Sequence, residues 1–272
     1  MLNIGWFSTG RDEAAWQLLQ AVQESIKMTE IEGKINFVFS NREPGESKES
    51  DSFFDLVHNY DIPLICFSHR KFKKLIAVRR STERSEEEMK QSQENWRLKY
   101  DREVDRRIRE FPVDICVLAG YMLIIGEELC RDYNMINLHP APPGGPVGSW
   151  QEVISAIIQN KADKAGAMMH LVTPELDRGP VVSYCLFPIK GEPFEQYWQK
   201  DDEDMLFKLI RHHELPREFP LIISTLKALS QGKIAIWEGK VIDARGNAIQ
   251  GYELTEEINQ AVAGKIALQS LS

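Results

Sequence analysis

VDICVLA, at Val113–Ala119, is the stretch that decides the fold. It is apolar almost throughout, as expected for a parallel strand that helices cover on both faces. Two similar stretches precede it, NIGWF at Asn3–Phe7 and INFVFS at Ile35–Ser40, and helical periodicity follows the first of them. Strands that alternate with helices imply βαβ crossovers. We therefore predict an α/β fold of Rossmann-like type, with a mostly parallel sheet and helices on both faces.

The second half of the chain has a different rhythm. A loop rich in Pro and Gly, Pro140–Gly148, precedes a predicted helix at Trp150–Gln159. A long helical pattern at Asp204–Leu229 is expected to be interrupted by Pro216 and Pro220. The remaining predicted strands are Pro63–Phe67, Met135–Leu138, Ala167–Val172, Val181–Pro188 and a terminal hairpin of Ile234–Trp237 with Lys240–Asp243.

The chain shows no internal repeat and no interdomain linker, so we expect one domain over residues 1–272. Two segments are predicted to elaborate it: a charged helical insertion at about residues 70–110, and a C-terminal extension of helix and hairpin at residues 200–272. Within the insertion, apolar side chains recur every fourth residue, which predicts a helix with one packed stripe. That stripe consists of Trp96, Tyr100, Val104 and Ile108.

Composition and charge exclude several classes of function. Lys and Arg total 33 against 41 Asp and Glu, for a net charge of -8, so a bulk cationic surface for nucleic acid or anionic membrane is not expected. The four cysteines are widely spaced and form no C-x-x-C pair, which argues against a zinc site or a disulfide framework. The longest apolar stretch is shorter than the ~18 residues that a membrane span needs. We predict a cytoplasmic protein without a metal.

Three polar residues point to a reaction. Asn137 and His139 lie two apart in a predicted strand, so their side chains project from the same side, and Pro140 ends that strand. Ligands of open α/β sheets bind at the carboxyl ends of strands. An amide and an imidazole both donate to an oxygen that gains negative charge, and Asp177, in the turn sequence LDRGP, would favour the imidazolium. The trio fits acyl transfer to an amine, although such residues at a strand end and in a turn are also common structural features.

Three motifs in this order resemble the folate-dependent formyltransferase family: AGYM at Ala119–Met122, NLHP at Asn137–Pro140 and ELDRGP at Glu175–Pro180. The resemblance covers nearly the whole chain and is greatest to members that formylate glycinamide ribonucleotide in purine biosynthesis. It implies transfer of a formyl group from 10-formyltetrahydrofolate to an amine, by a monomer or homodimer whose substrates are small molecules. By position, Asn137 would donate to the formyl oxygen and His139 would act as general acid. Asp177 would hold His139 protonated and help to relay a proton.

The resemblance also implies residues that bind the two substrates. Family members hold the acceptor's phosphate in a G-N-G-S-N turn after the first strand, where this chain has Gly10-Arg11-Asp12-Glu13-Ala14. Arg11 suits a phosphate, whereas Asp12 and Glu13 would repel one unless they are acids of a helix's first turn. The residues implied to contact the formyl donor are the backbone of Met122, Leu123, Ile124 and Ile125, together with Asn137 and Asp177. The residues implied to contact the amine that accepts the formyl group are Gly10, Arg11, Asp12, Glu13, Gly148, His170 and Glu214.

Three alternatives remain open at this point. The altered turn after the first strand favours a formyltransferase whose acceptor is a nucleotide-linked amino sugar. A formyltetrahydrofolate hydrolase would use the same trio with water as acceptor. From a different class, the chain would be a folate- or nucleotide-binding protein that keeps the scaffold without catalysis.

Overall fold

The structure is a computed structural model that describes residues 1–78 and 86–269. Contacts divide the described residues into two compact units. The first consists of Met1–Ile26, Gly33–Met135 and Val172–Pro174, and the second holds the other described residues. Among the helices that the structure describes, none combines the length and the apolar character that a membrane span needs.

The first unit contains a parallel sheet whose strands alternate with helices. Its elements are the strands β1 (Leu2–Phe7), β2 (Gly33–Ser40), β3 (Leu64–Cys66) and β4 (Ile115–Leu118) and the helices α1 (Glu13–Lys27), α2 (Lys48–Asn59), α3 (His69–Val78), α4 (Glu86–Ile108) and α5 (Glu127–Asp132). β1 pairs in parallel with both β4 and β2, and β2 pairs in parallel with β3. All four residues of β4 are buried, which is the environment that its apolar sequence predicts.

The predicted stripe of the charged segment packs into the core of the first unit. Tyr100, Val104 and Ile108 are buried in one cluster with residues of β1, β2 and β4, and Trp96 packs against that cluster. The segment forms α3 and α4; residues 79–85 of the predicted insertion lie outside the described residues. The apolar side chains spaced four residues apart therefore hold α4 to this unit. Its charged residues form exposed ion pairs, such as Arg106 with Glu103.

The second unit combines antiparallel and parallel pairing. Its strands are β5 (Met135–His139), β6 (Lys164–Leu171), β7 (Val181–Pro188), β8 (Ile234–Trp237), β9 (Lys240–Asp243) and β10 (Tyr252–Glu253), and its helices are α6 (Trp150–Gln159), α7 (Glu195–Gln199), α8 (Glu203–Ser230) and α9 (Thr255–Gln269). β6 runs antiparallel to β5 and β7, β10 runs parallel to β7, and β8 and β9 form the predicted hairpin. Together with the first unit, this confirms the predicted α/β fold with a mostly parallel sheet.

The predicted interruption of the long C-terminal helix is wrong. α8 continues through Pro216 and Pro220 as one helix of 28 residues. A proline inside a helix costs roughly 3 kcal/mol because it removes an N–H and crowds the preceding turn. Buried side chains on both sides of the two prolines, including Ile210 and Leu221, keep the helix against the rest of its unit. Tertiary packing therefore outweighs the local preference.

Candidate active site

The end of β5 carries two of the predicted catalytic residues. β6 lies antiparallel to β5 with Asn137 opposite His170, and Asn137 Nδ2 lies 3.2 Å from His170 Nε2. His139, the last residue of β5, is almost fully buried, and its Nε2 lies 3.0 Å from the carbonyl oxygen of Pro146. Strand pairing thus brings His170 beside Asn137, which no spacing along the chain could indicate.

Asp177 joins these groups from the loop between β6 and β7. Its backbone has a φ of 52°, in the left-handed region that Asp tolerates better than most side chains. Its Oδ2 accepts a hydrogen bond of 3.1 Å from the Gly148 N–H and lies 3.7 Å from His139 Nδ1, while its Oδ1 lies 3.5 Å from His170 Nε2. The carboxylate therefore lies between two imidazoles, and the structure brings the predicted trio together with His170.

The protonation of His139 differs from the expectation drawn from the sequence. Burial lowers the pKa of His139, and the Pro146 carbonyl and the Asp177 carboxylate only partly offset this effect, so the pKa stays below its ordinary value of 6.5. His139 is accordingly neutral in the free protein near pH 7, rather than held protonated. Both ring nitrogens face oxygen acceptors, so a proton that the ring gains finds acceptors on both sides.

Asp177 remains ionised in this setting. Burial by itself would raise its pKa, but the hydrogen bond with His170, the positive charge that His139 carries at the acid pH where Asp177 titrates, and the Gly148 N–H together bring the pKa below its ordinary value. The site thus combines a fixed negative charge with an imidazole that can accept a proton. This is the arrangement that general acid–base chemistry requires.

The backbone conformation and the surroundings of Gly148 both favour glycine. Its φ is 110°, and a Cβ at this position would lie 2.6 Å from Glu152 Oε2. That carboxylate accepts a hydrogen bond from the Ser149 N–H, and Ser149 Oγ accepts one from the Glu152 N–H; these two bonds form the capping box at the start of α6. The sequence predicted that Gly148 contacts the substrate that accepts the formyl group. In the structure, the Gly148 N–H donates to Asp177 Oδ2.

The turn after β1 leads into α1, and Asp12 caps the start of this helix. Gly10 donates its N–H to Ser8 Oγ at 3.1 Å, and Asp12 Oδ1 accepts a hydrogen bond of 3.1 Å from the Ala15 N–H. Arg11 lies 3.6 Å from Asp12, and both side chains are more than half exposed. Asp12 therefore occupies one of the N-terminal positions of α1 that a phosphate would otherwise use.

Gly10 offers a test of how tightly this turn is built. Its φ is +61° and an added Cβ would lie 2.8 Å from Phe53 Cβ, whereas Gly45 has a φ of +83° with nothing within 4 Å. We expect Gly10→Ala to lower the free energy of unfolding by about 2–4 kcal/mol, since it adds a clash to the backbone strain. Gly45→Ala should cost about 1 kcal/mol, from strain alone. Urea denaturation measures both, and equal costs would exclude the clash with Phe53.

The predicted donor loop after β4 is anchored to the same turn. Thr9 donates its N–H to the carbonyl oxygen of Gly120 at 3.1 Å, and Thr9 Oγ1 accepts from the Met122 N–H at 3.0 Å. Ile125 is buried in the core, and Leu123 packs against it, while half of the Met122 surface is exposed. Leu123 and Ile125 therefore turn their side chains inward, and the loop starts at a backbone N–H that Thr9 holds.

Glu214 is buried rather than open to a ligand. It has no exposed surface; one carboxylate oxygen accepts from Arg211 Nη1 at 3.0 Å, and the other has no partner in the described part of the chain. Burial, with the charge of Glu218, raises the pKa of Glu214 to about 8. Arg211 also donates to Glu218 and lies over the Trp150 ring at 4.6 Å. Arg211 is one-fifth exposed, so solvent reaches it but not Glu214.

Comparisons with known proteins identify the family of this chain. Residues 14–196 match the Formyl transferase family. The phosphoribosylglycinamide formyltransferase of Dictyostelium discoideum is 28% identical over 207 residues, which cover 71% of this chain and 90% of that protein. The Escherichia coli enzyme of the same name is 27% identical over 162 residues, 58% of this chain and 69% of its own. The solved structure of the phosphoribosylglycinamide formyltransferase from Coxiella burnetii superposes with a TM-score of 0.67 at 18% identity, covering 93% of this chain and 98% of that one, and this likeness supports the fold. Since the family match spans more than half of the sequence, the chain belongs to the formyl transferase family.

Proposed function

We propose that this enzyme transfers the formyl group of 10-formyltetrahydrofolate to the amine of glycinamide ribonucleotide, in the cytoplasm. The single observation that carries the proposal is the Asp177 carboxylate between His139 and His170, beside the amide of Asn137. A protein that only binds folate or a nucleotide has no use for such a set. The relatives named phosphoribosylglycinamide formyltransferase support the choice of acceptor.

Each member of the set has a chemical role in this reaction. The acceptor amine attacks the formyl carbon, so a C–N bond forms and the formyl oxygen becomes an oxyanion. The amide of Asn137, which lies beside His170, carries two hydrogens and can donate to the oxyanion. Neutral His139 takes the proton that the amine loses and returns it to N10 of the folate as the C–N10 bond breaks. Asp177 stabilises the imidazolium that exists between the two steps.

The pH profile of the reaction tests these roles. We expect kcat/KM to fall with decreasing pH around a midpoint below 6.5, because the neutral form of His139 is the proton acceptor and burial lowers its pKa. In Asp177→Asn this midpoint should move to still lower pH, since the lost carboxylate is one of the groups that raise the pKa of His139. Initial rates from pH 4.5 to 8, with an acceptor whose amine titration is measured separately, give the profiles. A midpoint that stays in place in the variant would contradict this coupling.

Binding of the two substrates is proposed from the resemblance. The loop of residues 122–125 would border the pterin ring of the donor. For the acceptor, Gly10, Arg11 and Glu13 would lie near the phosphate. Arg211, rather than Glu214 beneath it, is suited to contact the acceptor, because it has exposed surface. The oligomeric state is proposed to be a monomer or a homodimer.

Asp12 is the feature that should make phosphate binding weak. Its carboxylate caps α1 where a phosphate would accept the same N–H groups. We expect Asp12→Asn to lower KM for glycinamide ribonucleotide about 3–10-fold, because Asn keeps the cap and removes a repulsion of about 1 kcal/mol. KM for the folate should not change. The matched control is Glu24→Gln, an exposed acid on α1. An unchanged KM in Asp12→Asn would remove the phosphate from this turn.

The same capping carboxylate favours a second candidate, a formyltransferase acting on a nucleotide-linked amino sugar. The phosphates of such an acceptor are diesters, with one charge each, and they do not need the helix N-terminus that Asp12 occupies. For this acceptor, Asp12→Asn should leave KM unchanged.

The assay that decides between the candidates uses one donor and three acceptors. The protein is incubated with 10-formyltetrahydrofolate and glycinamide ribonucleotide, a nucleotide-linked amino sugar, or no amine, and release of tetrahydrofolate is followed by absorbance. Turnover with glycinamide ribonucleotide at least 100-fold above the rate without amine supports the proposal. Equal rates with and without amine would make the protein a hydrolase, and no release in any arm would leave a binding protein.

A further inference from the structure

One end of the loop that follows β4 is held by a buried carboxylate from α4. Asp101 is only 3% exposed, and its Oδ2 accepts a hydrogen bond of 2.7 Å from the N–H of Gly126. Gly126 is the N-cap residue of α5, and the N-cap N–H of a capping box donates to the side chain of the third helical residue. That residue is Leu129, which has no acceptor, so Asp101 accepts from this N–H instead. The other end of the loop is fixed at Met122 by Thr9. Residues 122–126 are thus held at both ends by side chains from elsewhere in the same unit.

Gly126 fits this contact in a way that no other residue would. A Cβ at position 126 would lie 2.5 Å from Asp101 Oδ2, so even Ala would displace the carboxylate. The short hydrogen bond and the missing side chain therefore depend on each other. A substitution at either position should release the same end of the loop.

Two further contacts from α4 follow along α5, and they differ from the first in exposure. Arg102 donates to both carboxylate oxygens of Glu128 at 2.8 and 2.7 Å, and Asp105 Oδ1 accepts from the Tyr133 hydroxyl at 2.8 Å. These side chains are partly exposed, where a polar pair contributes about 0–1 kcal/mol. Asp101 is the buried contact of the three, and losing a buried partner leaves a backbone N–H without an acceptor. It is therefore the contact with the largest expected effect on the loop.

We propose that Asp101 is a positioning residue for formyl transfer: it fixes the loop of residues 122–126 in the conformation that binds the folate donor. This inference rests on the proposed function, in which that loop borders the pterin ring. In this proposal the charged segment between β3 and β4 has a function, because the packed stripe of α4 holds Asp101 in place. Tyr100, next to it, is buried and donates to the carbonyl oxygen of Phe67 at 2.6 Å, which fixes the helix at this turn.

The test separates donor binding from every other step. Asp101→Ala should raise KM for 10-formyltetrahydrofolate about tenfold, the size of effect expected when a buried N–H loses its hydrogen-bond acceptor. KM for the amine and kcat should change less than twofold. Gly126→Ala should reproduce the effect, and Asp101→Asn should restore KM to within about threefold of wild type, because an amide oxygen still accepts from the Gly126 N–H. Asp105→Asn, one turn along α4, is the matched control and should behave as wild type.

Hydrogen exchange of the backbone amides supplies a readout that needs no substrate. Faster exchange at residues 122–126 in Asp101→Ala and Gly126→Ala, but not in Asp105→Asn, supports the anchoring of this loop by Asp101, and this result does not depend on the proposed function. Unchanged exchange in this loop overturns it, as does an equal change of both KM values and kcat in Asp101→Ala. If Asp101→Ala does not fold, Asp101→Asn and Gly126→Ala carry the same comparison.

Discussion

Asp177→Asn lowers kcat by about 10²–10⁴-fold and leaves the fold intact; this is the largest effect that we expect. The variant removes the negative charge that stabilises the His139 imidazolium. Its amide oxygen still accepts from the Gly148 N–H, and Asn tolerates the left-handed backbone at this position. The free energy of unfolding should therefore change by less than about 1 kcal/mol. Steady-state rates and urea denaturation measure the two quantities.

The neighbouring Arg178 provides the control for this variant. Arg178 lies in the same loop and is exposed, so Arg178→Gln changes a charge without touching either imidazole. It should retain wild-type kcat. A rate near that of wild type in Asp177→Asn would remove Asp177 from the mechanism. A loss of stability as large as the loss of activity would assign it a structural role instead.

His139→Gln should reduce kcat by about 10³-fold, within the range that a positioned proton shuttle contributes. The amide of Gln can donate to the Pro146 carbonyl or to an oxyanion, but it cannot carry the amine's proton to N10. The residual activity then reports what oxyanion stabilisation supplies alone. The variant should also lose the acidic limb of the pH profile, since the group that titrates there is gone.

His58→Gln serves as the comparison, because His58 is an exposed residue of α2. Both variants are measured with saturating folate and amine, so that kcat rather than binding is compared. Retention of more than a tenth of the wild-type kcat in His139→Gln, with the acidic limb still present, would transfer the proton shuttle to another group.

The sequence signals that succeeded were local. The helix at Trp150–Gln159 has the predicted bounds because Ser149 and Glu152 form a capping box, a pattern legible in four residues. The strand at Val181–Pro188 also has the predicted bounds. The apolar run at Val113–Ala119 indicated a buried parallel strand for a similar reason, since burial on both faces leaves no polar position.

The features that could not be predicted from the sequence depend on tertiary contacts. The register that sets His170 opposite Asn137 is a property of two strands far apart in the chain. The lowered pKa of His139 follows from burial, which residue spacing does not reveal. The continuity of α8 through Pro216 and Pro220 reflects packing against the rest of the unit. The candidate trio could be predicted from the sequence because it lies at a strand end and in a turn. The pKa values of its members could not be predicted.

Gly148 makes folding and chemistry inseparable at one position. The missing Cβ leaves room for the carboxylate that starts α6, and the same residue's N–H holds Asp177. A lineage that had lost turnover but still needed a folded chain would keep this glycine. Its retention in a distant homologue is therefore no sign of an active enzyme. In a homologue that has lost activity, we expect substitutions first at Asp177 or His139, which contribute less than Gly148 to the fold.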